Sequence, residues 1–205
     1  MAILERSMTF FDWVVQMAKH AVILSFLILL LSSFEANAHL LQGELLGGVD
    51  GFLHPMRGLD HVLAMSGIGF WLGGQETAYS FRMLGLLLLS VVVGALLAVL
   101  PASGVWLEPG LASSVILLGL LVAGWFPRHV GYGLSIGAGL LHGYAHGLEI
   151  PASVDALVYG VGFLTATASL QTVGWFLGSR VRNAPWVTRL FGALMVTLGA
   201  QMLWG

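Results

Sequence analysis

The chemistry this chain can offer is concentrated in two short clusters, HPMRGLDH (His54 to His61) and HGYAHGLE (His142 to Glu149). They hold four of the seven histidines and two carboxylates, Asp60 and Glu149, in a chain of 205 residues of which only 9% are charged. Both lie in apolar stretches, and an ionisable side chain at the centre of a membrane helix costs roughly 2.5–3.5 kcal/mol on insertion scales. Imidazole combined with carboxylate suits divalent transition metals such as nickel, cobalt, zinc, copper or iron, and disfavours magnesium, which prefers all-oxygen shells. The absence of cysteine removes disulfides, thiolate cages, iron–sulfur clusters and cysteine nucleophiles.

Spacing gives the candidates a geometry. His142 and His146 are one helical turn apart and Glu149 follows three residues later, so all three share a face beside Gly139, Gly143 and Gly147. The pair is not the HExxH of a zinc protease, because Gly143 follows His142. On a continuous helix Asp50, His54 and His61 fall within about 40° of one another. Asp60 lies roughly 100° from His61, where it would ligate directly or accept an imidazole N–H and so orient His61. Pro55 disfavours helical geometry at the residue before it, which predicts a break at His54. His39 and Asp50 are outlying candidates, and His129, at a loop, reads as ordinary packing. The same four clustered histidines would also serve a proton relay or face each other across a haem, although nothing else suggests a porphyrin pocket.

Composition says what must position these groups. At 58% hydrophobic with a mean hydropathy of +0.91, the chain is expected to be an all-α integral membrane protein. A net charge of −2 without a basic run gives nucleic acid no electrostatic footprint. Near the N-terminus, Ala21 to Phe34 is an apolar run between Lys19-His20 and the small-x-small sequence Ala36-Asn37-Ala38. That is the layout of a cleavable signal peptide over residues 1–38, translated from Met1 or from Met17. Uncleaved, it would form a seventh helix. Cleavage would leave a single domain over 39–205 that begins with His39, whose imidazole and free amine form a natural chelate near Glu44.

Six spans are expected in that domain, as one helix bundle: Gly51 to Gly73, Met83 to Leu100, Leu111 to Phe126, Val130 to Ile150, Leu157 to Leu177 and Trp186 to Trp204. Arg82, Arg128, Arg180, Arg182 and Arg189 fall in or beside alternate loops, and Glu108, Glu149 and Asp155 in the others, which places both termini outside. Trp71, Trp106, Trp125, Trp175, Trp186 and Trp204 lie near span ends, as an interfacial belt would. With spans one and four opposed, His61 lies about 15 Å below the outer surface, His142 about 12 Å and His146 about 6 Å. Both clusters therefore reach one zone, and a single outward-facing site is expected.

HPMRGLDH matches the pattern HPxxGxDH, and LLHGYAHGLEIP is similar to a second conserved segment, of the HupE/UreJ family of nickel transporters. The resemblance runs over essentially the whole domain after the signal. It implies a bacterial inner-membrane permease for Ni²⁺, with Co²⁺ as a second ion, that supplies hydrogenase or urease maturation. Both termini would then be periplasmic, with no prosthetic group and Zn²⁺ as an ion the ligands would also accept. His54, Asp60 and His61 carry over as motif residues, with His142, His146 and Glu149 as partners. Many members have a histidine-rich stretch after the signal; here only His39 precedes His54, which weakens any outer collecting role. A homo-oligomer is compatible with the chain. The competing classes are an integral-membrane metalloenzyme that activates water with the same ligands, and a metal-binding or sensor protein that does not conduct.

Overall fold

The computed structural model describes residues 44–100 and 106–204, and among them every element is a helix. In chain order these are α1 (Glu44–Arg57), α2 (Leu59–Gly73), α3 (Thr77–Leu97), α4 (Leu107–Val122), α5 (Arg128–Leu148), α6 (Ala156–Arg180) and α7 (Pro185–Trp204). The expected signal segment and His39 lie outside the described residues.

Local chemistry sets several of these bounds. The Asp155 carboxylate accepts from the Leu157 and Val158 amides, both at 2.9 Å, and so caps α6. Pro185 opens α7 where its missing N–H leaves nothing unsatisfied. Gly124, at φ +90°, stops α4 in a conformation that side chains resist.

The first expected span differs from its description in sequence. It starts earlier, at Glu44, passes through Pro55 without a break, and is interrupted at Gly58, which is extended at φ −84° and ψ 110°. The interruption therefore falls three residues after the proline, and an angular argument carried from His54 across to His61 does not hold. The other five helices lie within a few residues of their expected spans, apart from α3, which starts six residues early, at Thr77 instead of Met83.

Among the described residues, three stretches are long and apolar enough to cross a membrane: Tyr79–Leu97, Ala156–Arg180 and Pro185–Trp204. α4 is apolar but has 16 residues, and α1 and α2 are short separately. α5 has the length, at 21 residues, but its glycines and histidines dilute its apolar character. The surface is that of a membrane protein. Leu96, Val99, Leu157, Val161 and Leu190 are each more than 60% exposed, while His61, His142, Thr167 and Gln171 are buried.

α2 packs against all six other helices, and 12 of its 15 residues are buried. The principal pairs are α1 and α2 with α6, α3 with α5, and α4 with α7. Glycine makes these approaches possible. A Cβ on Gly143 would fall 2.8 Å from the Val91 carbonyl carbon of α3, and one on Gly174 would fall 2.9 Å from the Phe70 amide of α2. The ridge of Gly139, Gly143 and Gly147 thus receives α3, which leaves the histidine side of α5 to other helices. The order of these contacts also gives direction. Gly48 meets Val158 and Gly73 meets Trp175, so α1 and α2 run parallel to α6; Gly139 meets Ser90 and Gly147 meets Ala98, so α3 and α5 are parallel too. Gly119 meets Gly192 while Gly199 meets Ala112, so α4 and α7 are antiparallel.

Candidate metal centre

The broken helix delivers the first cluster from two ends. His54 lies in the last turn of α1, and Asp60 and His61 lie in the first turn of α2, where the helix dipole favours a carboxylate. Gly58 between them leaves room for that carboxylate: a Cβ there would fall 2.9 Å from Asp60 Oδ1. The second cluster comes from the last two turns of α5, with His142 and His146 inside the helix and Glu149 as its C-cap.

These elements bring six of the eight sequence candidates together. His54 Nε2, His146 Nδ1 and Glu149 Oε2 form a triangle with sides of 3.1, 2.8 and 2.9 Å. A carboxylate only accepts, so at least one of the two imidazoles donates to it. Deeper, His61, His142 and His146 each offer a ring nitrogen within 4.8 Å of the others. The ring centroids of His61 and His146 are 4.7 Å apart, and those of His61 and His142 are 5.5 Å apart, all in edge-to-face contact. His146 belongs to both groups. Side-chain exposure falls from 51% at Glu149 to 30% at His54, 11% at His146 and zero at His142, while Asp60 beside His142 is 26% exposed.

A hydroxyl neighbour assigns one tautomer to each of the two deepest histidines. Thr167 of α6 donates its hydroxyl hydrogen to the Phe163 carbonyl at 2.9 Å, so its oxygen accepts from His61 Nε2–H at 3.2 Å. Ser114 of α4 likewise donates to the Leu111 carbonyl at 2.7 Å and accepts from His142 Nε2–H at 3.0 Å. Each ring therefore presents an Nδ1 lone pair, and both Nδ1 atoms are buried without a hydrogen-bond partner. Buried lone pairs without partners are rare. A pair of them beside a third imidazole could hold a transition-metal ion, with hydroxyls in the orienting role that second-layer groups play around metal ligands.

Several details differ from expectation. Asp60 does not orient His61; its nearest imidazole is His142, with Oδ2 at 3.8 Å from Nδ1, too long for a hydrogen bond. The acceptor for His61 is Thr167, because α2 lies along α6 and turns that ring away from its neighbour in sequence. Asp50, half-buried one turn before His54, belongs to neither group of donors. Thr167 and Ser114 carried no signal in sequence, since Ser and Thr bonding back to their own helix are common in apolar helices. Phe163 was missed as well; its ring lies 5.3 Å from that of His61 and 4.9 Å from that of His146, and walls one side of the inner group.

A profile of the family described as HupE / UreJ protein matches residues 27–202. Over 172 residues the chain is 36% identical to Protein HupE of Rhizobium leguminosarum bv. viciae, an alignment covering 78% of this chain and 85% of that relative. No solved structure matches. The chain belongs to the HupE / UreJ family, whose members are transporters and accessory factors and not enzymes.

Proposed function

We propose that this protein is a Ni²⁺ permease of the bacterial inner membrane, with Co²⁺ as a second cargo, that feeds the maturation of a hydrogenase or urease. The observation that carries the reading is the pair of unpartnered Nδ1 atoms on His61 and His142, buried beside His146. Six spans with both ends on the same side are supported by the helix directions, and the arginine-bearing loops support that side being the outer one. Counting α1 and α2 as one broken span, odd spans run one way and even spans the other, as alternating passes require. Discontinuous helices whose ends meet at a binding site recur in membrane transporters.

In this reading the outer group captures and the inner group conducts. Glu149 supplies the charge that draws the cation to the mouth, and His54 and His146 replace part of its water. Because His146 is common to both groups, the ion moves inward by exchanging His54 and Glu149 for His61 and His142 while one protein ligand is retained. Asp60, part-exposed beside the fully buried His142, offsets the cation's charge there. Neutral imidazoles keep the inner group moderate in affinity, which release requires. The identity of the ion rests on the family, since the ligands suit Zn²⁺ and Co²⁺ as well. A binding or sensing protein would hold the ion without passing it. Cells carrying His61→Ala or His142→Ala, at wild-type protein levels in nickel-limited medium, should accumulate far less nickel than wild type. Equal accumulation would refute the proposal.

A further inference from the structure

One turn beyond the inner group, away from Glu149, α2 and α6 place a second polar pair. Met65 follows His61 by four residues and Gln171 follows Thr167 by four, and the two helices run parallel. The Met65–Gln171 pair is therefore stacked beneath His61–Thr167, about 6 Å further along the helix axes. Both side chains are buried, Met65 completely and Gln171 to within 1%. Gln171 Nε2 donates to Met65 Sδ at 3.6 Å, a weak bond, and Gln171 Oε1 has no partner. If the amide is turned over, its NH₂ group becomes the orphan and its oxygen faces a thioether that has no hydrogen to give, so the amide is unsatisfied in either assignment. A glutamine present only to hold two helices together would spend both ends on backbone carbonyls or hydroxyls.

The geometry points to a second cation station at Gln171 Oε1 and Met65 Sδ, through which the ion leaves the histidine group on the side opposite Glu149. This rests on the permease reading of the histidine groups. The ligand chemistry suits exit. A neutral amide oxygen and a thioether bind a borderline transition-metal ion more weakly than imidazoles do, and the thioether discriminates against Mg²⁺ and Ca²⁺. The station gives a departing ion protein donors at a depth where water is excluded, without a charge that would trap it.

Equilibrium Ni²⁺ binding in detergent and Ni²⁺ influx in proteoliposomes, measured on the same preparations of the full chain, separate this from a packing role. Met65→Leu, nearly isosteric, and Gln171→Leu should keep the wild-type affinity of the histidine group while influx falls by at least about tenfold, the lower end of the loss expected from removing a supporting group at a metal site. Gln171→Glu should retain one additional equivalent of Ni²⁺ and also slow influx, because a carboxylate holds the ion. Unchanged influx in both leucine variants would overturn the station. So would binding and influx falling in parallel, which is what a packing defect produces. A wild-type protein that neither binds nor conducts Ni²⁺ would overturn the permease reading first, and the station with it.

Discussion

His54 Nε2 lies 2.8 Å from Glu149 Oε2, although 95 residues separate them in the chain. The contact joins the end of α1 to the end of α5 and closes the outer group over His146. It places the one strongly exposed carboxylate of the site at its mouth, with half of its side chain open, while every deeper donor is an imidazole apart from Asp60. In the proposed permease, entry and conduction fall to different residues and can be separated by mutation.

Glu149→Gln and His54→Ala should weaken capture while leaving the inner group in place. Loss of a charge-assisted contact of roughly 1.5–3 kcal/mol corresponds to an apparent affinity for Ni²⁺ lower by about tenfold or more. The maximal influx at saturating Ni²⁺ should change much less. Initial-rate uptake across a range of Ni²⁺ concentrations in proteoliposomes checks this, with a fall in the maximal rate at unchanged KM as the contrary result.

Thr167→Val and Ser114→Ala remove the acceptors that fix the His61 and His142 tautomers. Each should reduce Ni²⁺ affinity about 10–100-fold, the usual consequence of deleting a group that orients a metal-ligating histidine. Thr167→Ser should restore most of it, because the hydroxyl remains. Equilibrium titration of purified protein with Ni²⁺ makes the comparison, and equal loss in the valine and serine variants would show that only packing is at stake.

The glycines of α5 should divide sharply. A Cβ on Gly143 meets the backbone of α3, whereas one on Gly137, two turns earlier, meets nothing within 4 Å. Gly143→Ala should destabilise the bundle by about 1–3 kcal/mol through overpacking. Gly137→Ala should be neutral, or stabilising by roughly 0.5–1 kcal/mol from the helix preference alone. Thermal unfolding in detergent distinguishes them, and similar Tm shifts for the two would contradict the packing described for α3 and α5.

Acidification should inhibit uptake by competition. The ion needs neutral imidazoles, so protons and Ni²⁺ contend for the same lone pairs of the outer group, and affinity falls as pH falls. The loss should grow steadily as the medium is acidified from about pH 7 to about pH 5. Influx measured at sub-saturating Ni²⁺ across that window tests it, and an affinity that held constant down to pH 5 would assign the site to carboxylates alone.

Much of this site is legible in sequence because its donors repeat at helical spacing. His142, His146 and Glu149 share a face whatever the tertiary structure, and Gly139, Gly143 and Gly147 mark the approach of a neighbouring helix beside it. Arginine placement and short loops give the expected order of spans for the same local reason. What could not be read depends on which helices become neighbours. Nothing local says that α2 lies along α6, so Thr167 could not be distinguished from Thr165 or Thr172 as the partner of His61. The break lies at Gly58 and not at Pro55: Pro55 sits inside the last turn of α1, which ends within two residues of it, and glycine then offers the freer backbone for Asp60 to enter α2. Once the break lies there, a single wheel drawn through His54 and His61 loses its meaning, and Asp60 turns toward His142 instead of His61.

In the proposed permease, His61 and His142 hold the ion during passage. The most direct measurement is Ni²⁺ influx into proteoliposomes containing wild-type, His61→Ala or His142→Ala protein at matched incorporation and thermal stability. The account predicts that wild type conducts Ni²⁺ and that each variant loses at least about 90% of that flux, a decade in rate for a lost ligand. Wild-type flux retained by both variants would contradict it.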